Sequence, residues 1–501
     1  MEGFISDTLY NSYRNKPKSI INHKIICRVL GILLLVEVAM FLLCAAVSWG
    51  YGEDDVRAFL LTAVITAAAA GVLFLVSRNA EHRLGRRDGY CIATLVWVLF
   101  TLFGMLPFCF SGSVDSVADA FFETMSGFTT TGATVLDNID SLSHGILFWR
   151  SLTHAIGGLG IVCFAVALLP LVSEGNVQLF SAEATGVTHD KLHSKISVMV
   201  KWIWSVFLVL NIAEIILLYV GGMSMFDAIC HAFSTTGTGG FSTKQASIAY
   251  WNSPFIEYVI AVFMILSGVN FTLYFLWVNN GWKKMFRDEE LRFYLCSVLG
   301  VTLIITAVLA FQKGLDVESA FRKALFQVST LHTSCGFSTD DYMLWPPFTW
   351  VLLMYAILAG GCTGSTGGGI KSLRLLVLGK VIRNYFSRLI HPNAVIPVRI
   401  NNQALPSDTV MGVLMFISLY LLCILVGWAV LCLLGIGFSD ALGLVASSMG
   451  NAGLAFGDFG PAYSWNAMPD AAKWVLSFVM LIGRLEMFCV LLMFYPRFWK
   501  N

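Results

Sequence analysis

The chain has 501 residues, of which 57% are hydrophobic and only 13% are charged, and its mean hydropathy is +0.74. Soluble domains carry about twice that charged fraction, so the composition excludes an ordinary soluble fold and indicates an integral membrane protein. A net charge of +1 and twelve cysteines without metal-ligand spacing give no reason to expect nucleic-acid binding or a metal centre.

Long apolar runs recur along the whole chain, and each could form a helix that crosses the roughly 30 Å hydrocarbon core of a bilayer. In chain order, spans are predicted at 26–50, 55–78, 89–110, 146–170, 198–220, 254–279, 293–311, 348–390, 409–434 and 472–495. Lysine and arginine concentrate in alternate connecting segments, whereas 51–55 is acidic and 111–145 contains neither. Because cytoplasmic loops carry the excess of Lys and Arg, we expect ten spans with both termini in the cytoplasm.

Four half-length apolar segments lie between these spans and share one pattern when they are aligned on a glycine. The aligned glycines are Gly132, Gly240, Gly336 and Gly453. Alanine stands twelve residues before each glycine (Ala120, Ala228, Ala324, Ala441), and a hydroxyl residue stands six before (Ser126, Ser234, Thr330, Ser447). In the fourth segment Gly450 is an alternative anchor, but only Gly453 keeps both offsets. The pattern indicates four tandem repeats.

We therefore expect an all-α integral membrane protein in which four repeats of span, half-helix, filter loop and span surround a central pore. The predicted units are 1–88, with a cytoplasmic N-terminus and two additional transmembrane helices, and then 89–170, 171–280, 281–391 and 392–501 as pore repeats 1 to 4. Three half-helices carry an aspartate suited to an exposed N-terminus, namely Asp119, Asp227 and Asp440. The C-terminal ends should then point toward the membrane centre.

The three residues that end at each aligned glycine are predicted to form one strand of a cation selectivity filter. We call them the four triplets: Thr130, Thr131 and Gly132; Thr238, Gly239 and Gly240; Ser334, Cys335 and Gly336; Asn451, Ala452 and Gly453. Non-helical backbone at membrane depth survives only where it lines a cavity or is buried in protein. Four such strands can present carbonyl oxygens that replace the hydration shell of a cation. No Asp or Glu stands within two residues of an aligned glycine, which favours a monovalent ion without distinguishing K⁺ from Na⁺.

Two other interpretations stay open on these residues alone. The four segments could be re-entrant loops that merely pack together, which leaves the matched offsets without a cause. They could also belong to an inverted-repeat transporter whose broken helices bind ions, although two full spans between successive repeats give all four one orientation. No nucleophile–base pair or metal cluster appears, so we expect neither an enzyme nor a covalently bound cofactor.

A glycine-rich stretch, AGGCTGSTGGGI at 359–370, interrupts the second span of the third repeat, and we call it the glycine loop. Glycine costs roughly 1 kcal/mol relative to alanine in a helix interior, and five of the nine residues from 361 to 369 are glycine. A loop just inside the filter lies across the ion path, so we predict that it is a gate. The predicted gate residues are Gly361, Cys362, Thr363, Gly364, Ser365, Thr366, Gly367, Gly368 and Gly369.

Two alternatives to a gate can be weighed from the sequence. Ile370 separates Gly369 from Lys371, which breaks the phosphate-loop pattern. Close helix packing through small residues explains a few glycines, but it does not explain a run of them.

Arg484 lies in the otherwise apolar last span, thirteen residues before Arg497. At 1.5 Å per residue this separation is about 20 Å, and a charge at mid-membrane costs at least ~2.5 kcal/mol. We predict that Arg484 faces the cavity below the filter, touches the glycine loop and raises a barrier to cations. A structural ion pair with another helix is the alternative, with Glu486 expected to be a poor partner because it points to a different face.

The motifs TTTGATV, STTGTGGFST, TSCGFSTDD and GGCTGSTGGGIKSLR resemble signatures of the Trk/Ktr/HKT superfamily of potassium transporters, most closely its bacterial TrkH/TrkG type. The resemblance covers nearly the whole chain, including the two N-terminal helices. It implies potassium uptake across the bacterial inner membrane by a homodimer with one pore per protomer. It also implies a cytoplasmic TrkA-type ring that binds a nucleotide (ATP, ADP or NAD) as regulator, and it supports the gate and the placement of Arg484.

Two functional questions stay open after the resemblance. The chain could be a gated channel-like protein or a potassium symporter coupled to H⁺ or Na⁺ on the same scaffold. A cytoplasmic basic face in 371–399 could attract anionic membrane lipids or dock the regulatory partner. Its basic residues are Lys371, Arg374, Lys380, Arg383, Arg388 and Arg399.

Overall fold

The computed structural model of the protein describes residues 21–78, 85–172 and 196–499. The helices are α1 (His23–Tyr51), α2 (Val56–Val76), α3 (Arg86–Gly104), α4 (Leu106–Ser111), α5 (Val117–Phe128), α6 (His144–Val172), α7 (Ile196–Val220), α8 (Met225–Gly237), α9 (Pro254–Ser267), α10 (Phe271–Asn280), α11 (Trp282–Met285), α12 (Glu289–Lys313), α13 (Val317–His332), α14 (Pro347–Ala359), α15 (Ser372–Ile390), α16 (Ser407–Leu433), α17 (Phe438–Gly450), α18 (Asp470–Arg484), α19 (Phe488–Met493) and α20 (Pro496–Trp499). The predicted N-terminal tail before residue 21 and the start of the second predicted repeat (173–195) lie outside the described residues.

A short antiparallel hairpin lies near the start of the predicted fourth repeat, before its first helix. Its strands are β1 (Arg399–Ile400) and β2 (Gln403–Ala404). Asn401 and Asn402 form the two-residue turn, with φ of 50° and 66°. Asparagine tolerates this left-handed conformation better than most residues, and the twist of such a turn matches that of the strands.

Among the described residues, six helical segments are long and apolar enough to cross a membrane. They are α1, α2, α3 together with α4, α7, α12 and α16. A seventh is the bent pair α9 and α10. The apolar lengths confirm a multi-pass, mostly helical membrane protein, while the number of ten spans stays a prediction.

Two spans predicted as continuous helices are interrupted in the structure. The segment predicted at 254–279 bends by 88° between α9 and α10, where the Asn270 side chain accepts the Thr272 N–H at 2.9 Å and so starts a new helix. The segment predicted at 472–495 breaks after α18, where Glu486 and Met487 have φ of 55° and 53°. Apolar composition alone did not reveal either break.

The four predicted half-helices correspond to α5, α8, α13 and α17. Ser116 starts α5 by accepting the Asp119 N–H at 3.1 Å while its hydroxyl donates to the Asp119 carboxylate at 2.8 Å. Ser224 and Asp227 repeat this reciprocal cap at the start of α8. Such a cap satisfies a backbone N–H that has no partner inside the helix.

The repeats follow one another around a ring, and the last repeat returns to the first. Lys473 in α18 pairs with Asp119 at the start of α5, with 2.5 Å between Nζ and Oδ1. The backbone N–H of Trp465 donates to the Thr134 carbonyl at 2.8 Å. Helices α1 and α2 pack on each other, and α1 also packs on α3 and α6, which places the N-terminal pair outside this ring.

Helix α6 packs against two half-helices through glycine. A Cβ added at Gly157 would collide with the Phe128 carbonyl at the end of α5, and one at Gly158 would lie 2.7 Å from the Gly237 Cα at the end of α8. Only glycine allows backbones to approach this closely. The positions of both half-helix ends therefore depend on these two residues.

We predict that Gly158→Ala destabilises the protein by about 1–3 kcal/mol, the usual cost of inserting a methyl group into a packed interior. Gly160→Ala on the same helix is the matched control, because a Cβ there has open space around it. Both changes raise helix propensity equally. Thermal unfolding in detergent should therefore show a lower midpoint for Gly158→Ala and an unchanged midpoint for Gly160→Ala. Equal midpoints in the two variants would contradict the packing argument.

Candidate ion pathway

The four triplets adopt one backbone conformation although their sequences differ. The first residues have φ of 50° (Thr130), 55° (Thr238), 56° (Ser334) and 52° (Asn451), and the glycines have φ of 80° (Gly132), 80° (Gly240), 98° (Gly336) and 73° (Gly453). Gly450, the alternative anchor, is instead the last residue of α17. The backbone thus matches the alignment on Gly453.

Each triplet is tied to the half-helix before it by the same hydrogen bond. The N–H of the middle residue donates to the carbonyl of the hydroxyl residue that stands six before the glycine. The four bonds are Thr131 to Ser126 (2.8 Å), Gly239 to Ser234 (2.8 Å), Cys335 to Thr330 (2.7 Å) and Ala452 to Ser447 (2.9 Å). This bond uses a helix-end carbonyl that would otherwise lack a partner.

The triplets meet one another in sequence order and close a ring. A Cβ added at the glycine of one triplet would lie against the carbonyl oxygen of the middle residue of the next. The pairs are Gly132 with Gly239, Gly240 with Cys335, Gly336 with Ala452, and Gly453 with Thr131. Backbone oxygens of four strands therefore converge in one place, lined by the ends of four half-helices.

Behind three triplets, the residue nine before the glycine fixes the chain that follows the triplet. Glu123 accepts the Val135 N–H at 3.0 Å, and the His231 ring lies 2.9 Å from the Ser242 hydroxyl. Gln327 donates to the Asp340 carbonyl at 3.1 Å, while the fourth repeat has Leu444 here. The aligned side chains have different chemistry, so the sequence pattern does not reveal their shared role.

A buried ion pair links the first half-helix to the residues that follow the second triplet. Arg150 in α6 pairs with Glu123 at 2.9 Å, and both side chains are almost fully buried. The same guanidinium donates to the Ser242 carbonyl at 3.0 Å and covers the Phe241 ring. His332, the last residue of α13, contacts the Ser297 hydroxyl at 3.0 Å.

The glycine loop lies against the inner ends of the second, third and fourth half-helices. The Thr366 hydroxyl donates to the Thr236 carbonyl at 3.1 Å, and the Gly368 N–H donates to the Ser334 hydroxyl at 2.6 Å. A Cβ at Gly367 would lie 2.7 Å from the Thr333 carbonyl oxygen. The loop therefore sits directly beside the triplets.

The other side of the glycine loop docks into the bend between α9 and α10. The Cys362 N–H donates to the Gly268 carbonyl at 2.8 Å, and the Phe271 N–H donates to the Gly364 carbonyl at 3.2 Å. The bend and the loop thus satisfy each other's backbone groups. Ser365 and Gly369 complete the fold of the loop: the Ser365 hydroxyl donates to the Cys362 carbonyl at 2.6 Å, and Gly369, with φ of 80°, abuts Gly360.

Arg484 contacts the glycine loop, as the sequence predicted. Its guanidinium donates to the Thr366 carbonyl at 2.6 Å and to the Gly157 carbonyl in α6 at 2.9 Å, and the side chain is buried. Glu486 pairs with Arg374 at 2.8 Å. Arg484 is therefore held by carbonyl oxygens, which disfavours the alternative of a structural ion pair.

Three further charged residues bind the glycine loop and were not assigned to it from the sequence: Lys371, Arg374 and Glu290. The Lys371 ammonium donates to the Gly367 carbonyl, although Lys371 was assigned to the basic cytoplasmic face. The Arg374 guanidinium donates to the Ile370 carbonyl at 3.1 Å, although Arg374 too was assigned to the basic cytoplasmic face. The Glu290 carboxylate accepts the Thr363 N–H at 2.5 Å and the Thr363 hydroxyl at 2.9 Å. A carboxylate 73 residues away in the chain carries no local signal that links it to the loop.

Comparisons with known proteins agree over nearly the whole chain. The family model for TrkH, described as a cation transport protein, matches residues 56–501. The Trk system potassium uptake protein TrkH of Salmonella typhimurium is 38% identical over 95% of this chain and 99% of that protein. The Trk system potassium uptake protein TrkG of Escherichia coli is 36% identical over 90% of this chain and 93% of that protein.

A solved structure extends the likeness from sequence to fold. The crystal structure of the potassium transporter TrkH from Vibrio parahaemolyticus matches with a TM-score of 0.88 and 35% identity, covering 95% of this chain and 99% of that one. These matches confirm the resemblance drawn from the motifs, the mostly helical membrane fold and the expectation of a transport protein that is not an enzyme. The chain belongs to the TrkH family of cation transport proteins.

Proposed function

We propose that this protein takes up potassium ions across the bacterial inner membrane through the ring formed by the four triplets. The observation that carries the proposal is the closure of that ring, in which each glycine abuts a carbonyl oxygen of the next triplet. Carbonyl oxygens can replace the water around a monovalent cation. The names of the relatives, which are potassium uptake proteins, support K⁺ as the transported ion.

The half-helices add a favourable field to the proposed filter. Their C-terminal ends lead directly into the triplets, so the negative ends of four helix dipoles face the ring. The effect of a helix dipole falls off within the last turn, and the triplets begin there. A cation in the ring is thus stabilised without a carboxylate.

The glycine loop and Arg484 together form the proposed gate. The loop packs against three half-helix ends, and Arg484 holds it there by donating to Thr366. A buried guanidinium below the filter repels a cation that leaves it. Withdrawal of the loop would remove both the obstruction and the contact that positions the charge.

The regulatory and assembly proposals rest on the resemblance and on the basic segment. A homodimer, a cytoplasmic TrkA-type ring that binds ATP, ADP or NAD, and cytoplasmic termini are the arrangement that the family implies. Arg383 and Arg388 on α15 are exposed and suit either that ring or anionic lipids. Binding of the purified ring to nanodiscs with and without anionic lipid separates these two partners.

The main test is potassium and sodium flux into proteoliposomes of the purified protein. Passive K⁺ flux without any imposed H⁺ or Na⁺ gradient supports a channel-like protein. Flux that occurs only with such a gradient would favour the symporter, and absence of flux of either ion under any gradient would contradict the proposed function.

We expect Arg484→Ala to raise passive K⁺ flux about tenfold or more, because a hydrogen bond from a charged group contributes about 1.5–3 kcal/mol and the charge barrier is also removed. Arg497→Ala, which changes an exposed arginine near the C-terminus, is the matched control. The measurement is initial K⁺ influx at equal protein content. Unchanged flux in Arg484→Ala would rule out the proposed role of this residue in gating.

We expect Gly132→Ala to reduce K⁺ flux at least tenfold, because its Cβ would point at the Gly239 carbonyl oxygen in the ring. Gly314→Ala is a matched control with the same backbone strain, since Gly314 has φ of 65° but open space around it. K⁺ and Na⁺ influx of both variants should be compared with the unmodified protein. Equal losses in both would show that strain, and not the ring, controls flux.

A further inference from the structure

Glu290 is a buried carboxylate that accepts two hydrogen bonds from the glycine loop. It lies in the first turn of α12 and is 4% exposed. Its two oxygens accept the Thr363 N–H at 2.5 Å and the Thr363 hydroxyl at 2.9 Å. Thr363 is itself 2% exposed. A carboxyl group that accepts both the backbone N–H and the hydroxyl of one residue fixes the position of that residue.

The two residues before Glu290 bind the hairpin formed by β1 and β2. The Asp288 carboxylate accepts from the Asn401 side chain at 2.7 Å. The Asn401 N–H donates to Glu289 at 3.1 Å, and the Glu289 N–H donates back to the Asn401 side chain at 2.9 Å. Lys380 in α15 adds an ion pair to Glu289.

Three consecutive carboxylates thus connect two distant parts of the molecule. Asp288 also caps α12 by accepting the Leu291 N–H at 2.9 Å, so residues 288–290 move with the start of that helix. Asn401 is only partly buried and Asn402 is exposed, so the hairpin turn can be reached from the predicted cytoplasmic side. The glycine loop itself is buried and cannot be reached directly.

We propose that Glu290 is a positioning residue that holds the glycine loop against the triplets, and that the contact of Asp288 and Glu289 with Asn401 couples the hairpin turn to this hold. A partner that pulls on the turn would shift the start of α12 and release Thr363. The inference rests on the proposed function only for its effect on flux. The coupling itself affects amide exchange of the glycine loop, which can be measured without ions.

The test is hydrogen–deuterium exchange of the full chain in nanodiscs, read by mass spectrometry on peptides that cover 360–371. We expect Glu290→Ala to accelerate exchange in the glycine loop about tenfold or more, as the loss of two hydrogen bonds predicts, and to raise passive K⁺ flux in the same preparation. Glu290→Gln keeps an acceptor for the Thr363 N–H and should produce a smaller change. Peptides from α5, which Glu290 does not touch, should be unaffected.

The coupling to the hairpin is tested with a matched pair of variants at the turn. Asn401→Gly removes the side chain that binds Asp288, whereas Asn402→Gly changes an exposed neighbour, and both positions have positive φ that glycine accepts. We expect faster glycine-loop exchange in Asn401→Gly only, and no further increase when it is combined with Glu290→Ala. This variant lies away from the loop, so it also tests the proposal if Glu290→Ala does not fold.

The outcomes distinguish the hold of Glu290 on the glycine loop from the coupling of that hold to the hairpin turn. Unchanged loop exchange in Glu290→Ala would overturn the hold, and equal exchange in the two turn variants, or effects that add in the double variant, would overturn the coupling. Faster loop exchange without any K⁺ flux, in a protein that also carries no K⁺ unmodified, would support the hold while contradicting the proposed function.

Discussion

Where a helix is interrupted inside a membrane, its unpaired backbone N–H and C=O groups must find hydrogen-bond partners within the protein, because the hydrocarbon core offers no water to replace a lost hydrogen bond. In the described structure, each interrupted segment is satisfied by a second segment that has unpaired backbone groups of its own. Each triplet uses the last carbonyls of its own half-helix, and the glycine loop exchanges hydrogen bonds with the bend between α9 and α10. The interrupted helices are therefore not independent irregularities. The break in one repeat supplies the donors and acceptors that the break in another repeat needs, so neither could persist without the other.

The local sequence pattern predicted most features within each repeat, whereas it predicted almost none of the contacts between repeats. The offsets from Gly453 predicted a fourth triplet whose dihedral angles match those of the other three, because backbone conformation depends on residues nearby in the chain. The bend at Gly268 was not predictable, since its carbonyl is satisfied by Cys362 from the next repeat. Glu290 was missed for the same reason. Lys371 was placed on a basic surface because a lysine beside other basic residues resembles a solvated face, whereas the structure turns it inward to Gly367.

The charges around the glycine loop follow a consistent chemical division. Arg484 and Lys371 donate to carbonyl oxygens of Thr366 and Gly367, and Glu290 accepts from the N–H and hydroxyl of Thr363. The two cationic side chains thus occupy loop oxygens that would otherwise be free to coordinate a cation. Removing either partner of such a buried contact costs more than the contact contributes, because the remaining group stays desolvated. The loop is therefore held by a few discrete contacts that can be broken one at a time.

The four triplets belong to one chain and differ in composition, and this has a consequence for how the ring can vary. In a ring made from four identical subunits, any substitution appears four times and its effect is multiplied around the axis. Here Thr131, Gly239, Cys335 and Ala452 occupy equivalent positions, yet each can change alone. A mutation in one quadrant alters a quarter of the lining and leaves the remaining oxygens in place. Such a ring can be tuned in small steps, and it can place a unique side chain, such as Asn451 with its hydrogen bond to Thr131, at a single point of its circumference.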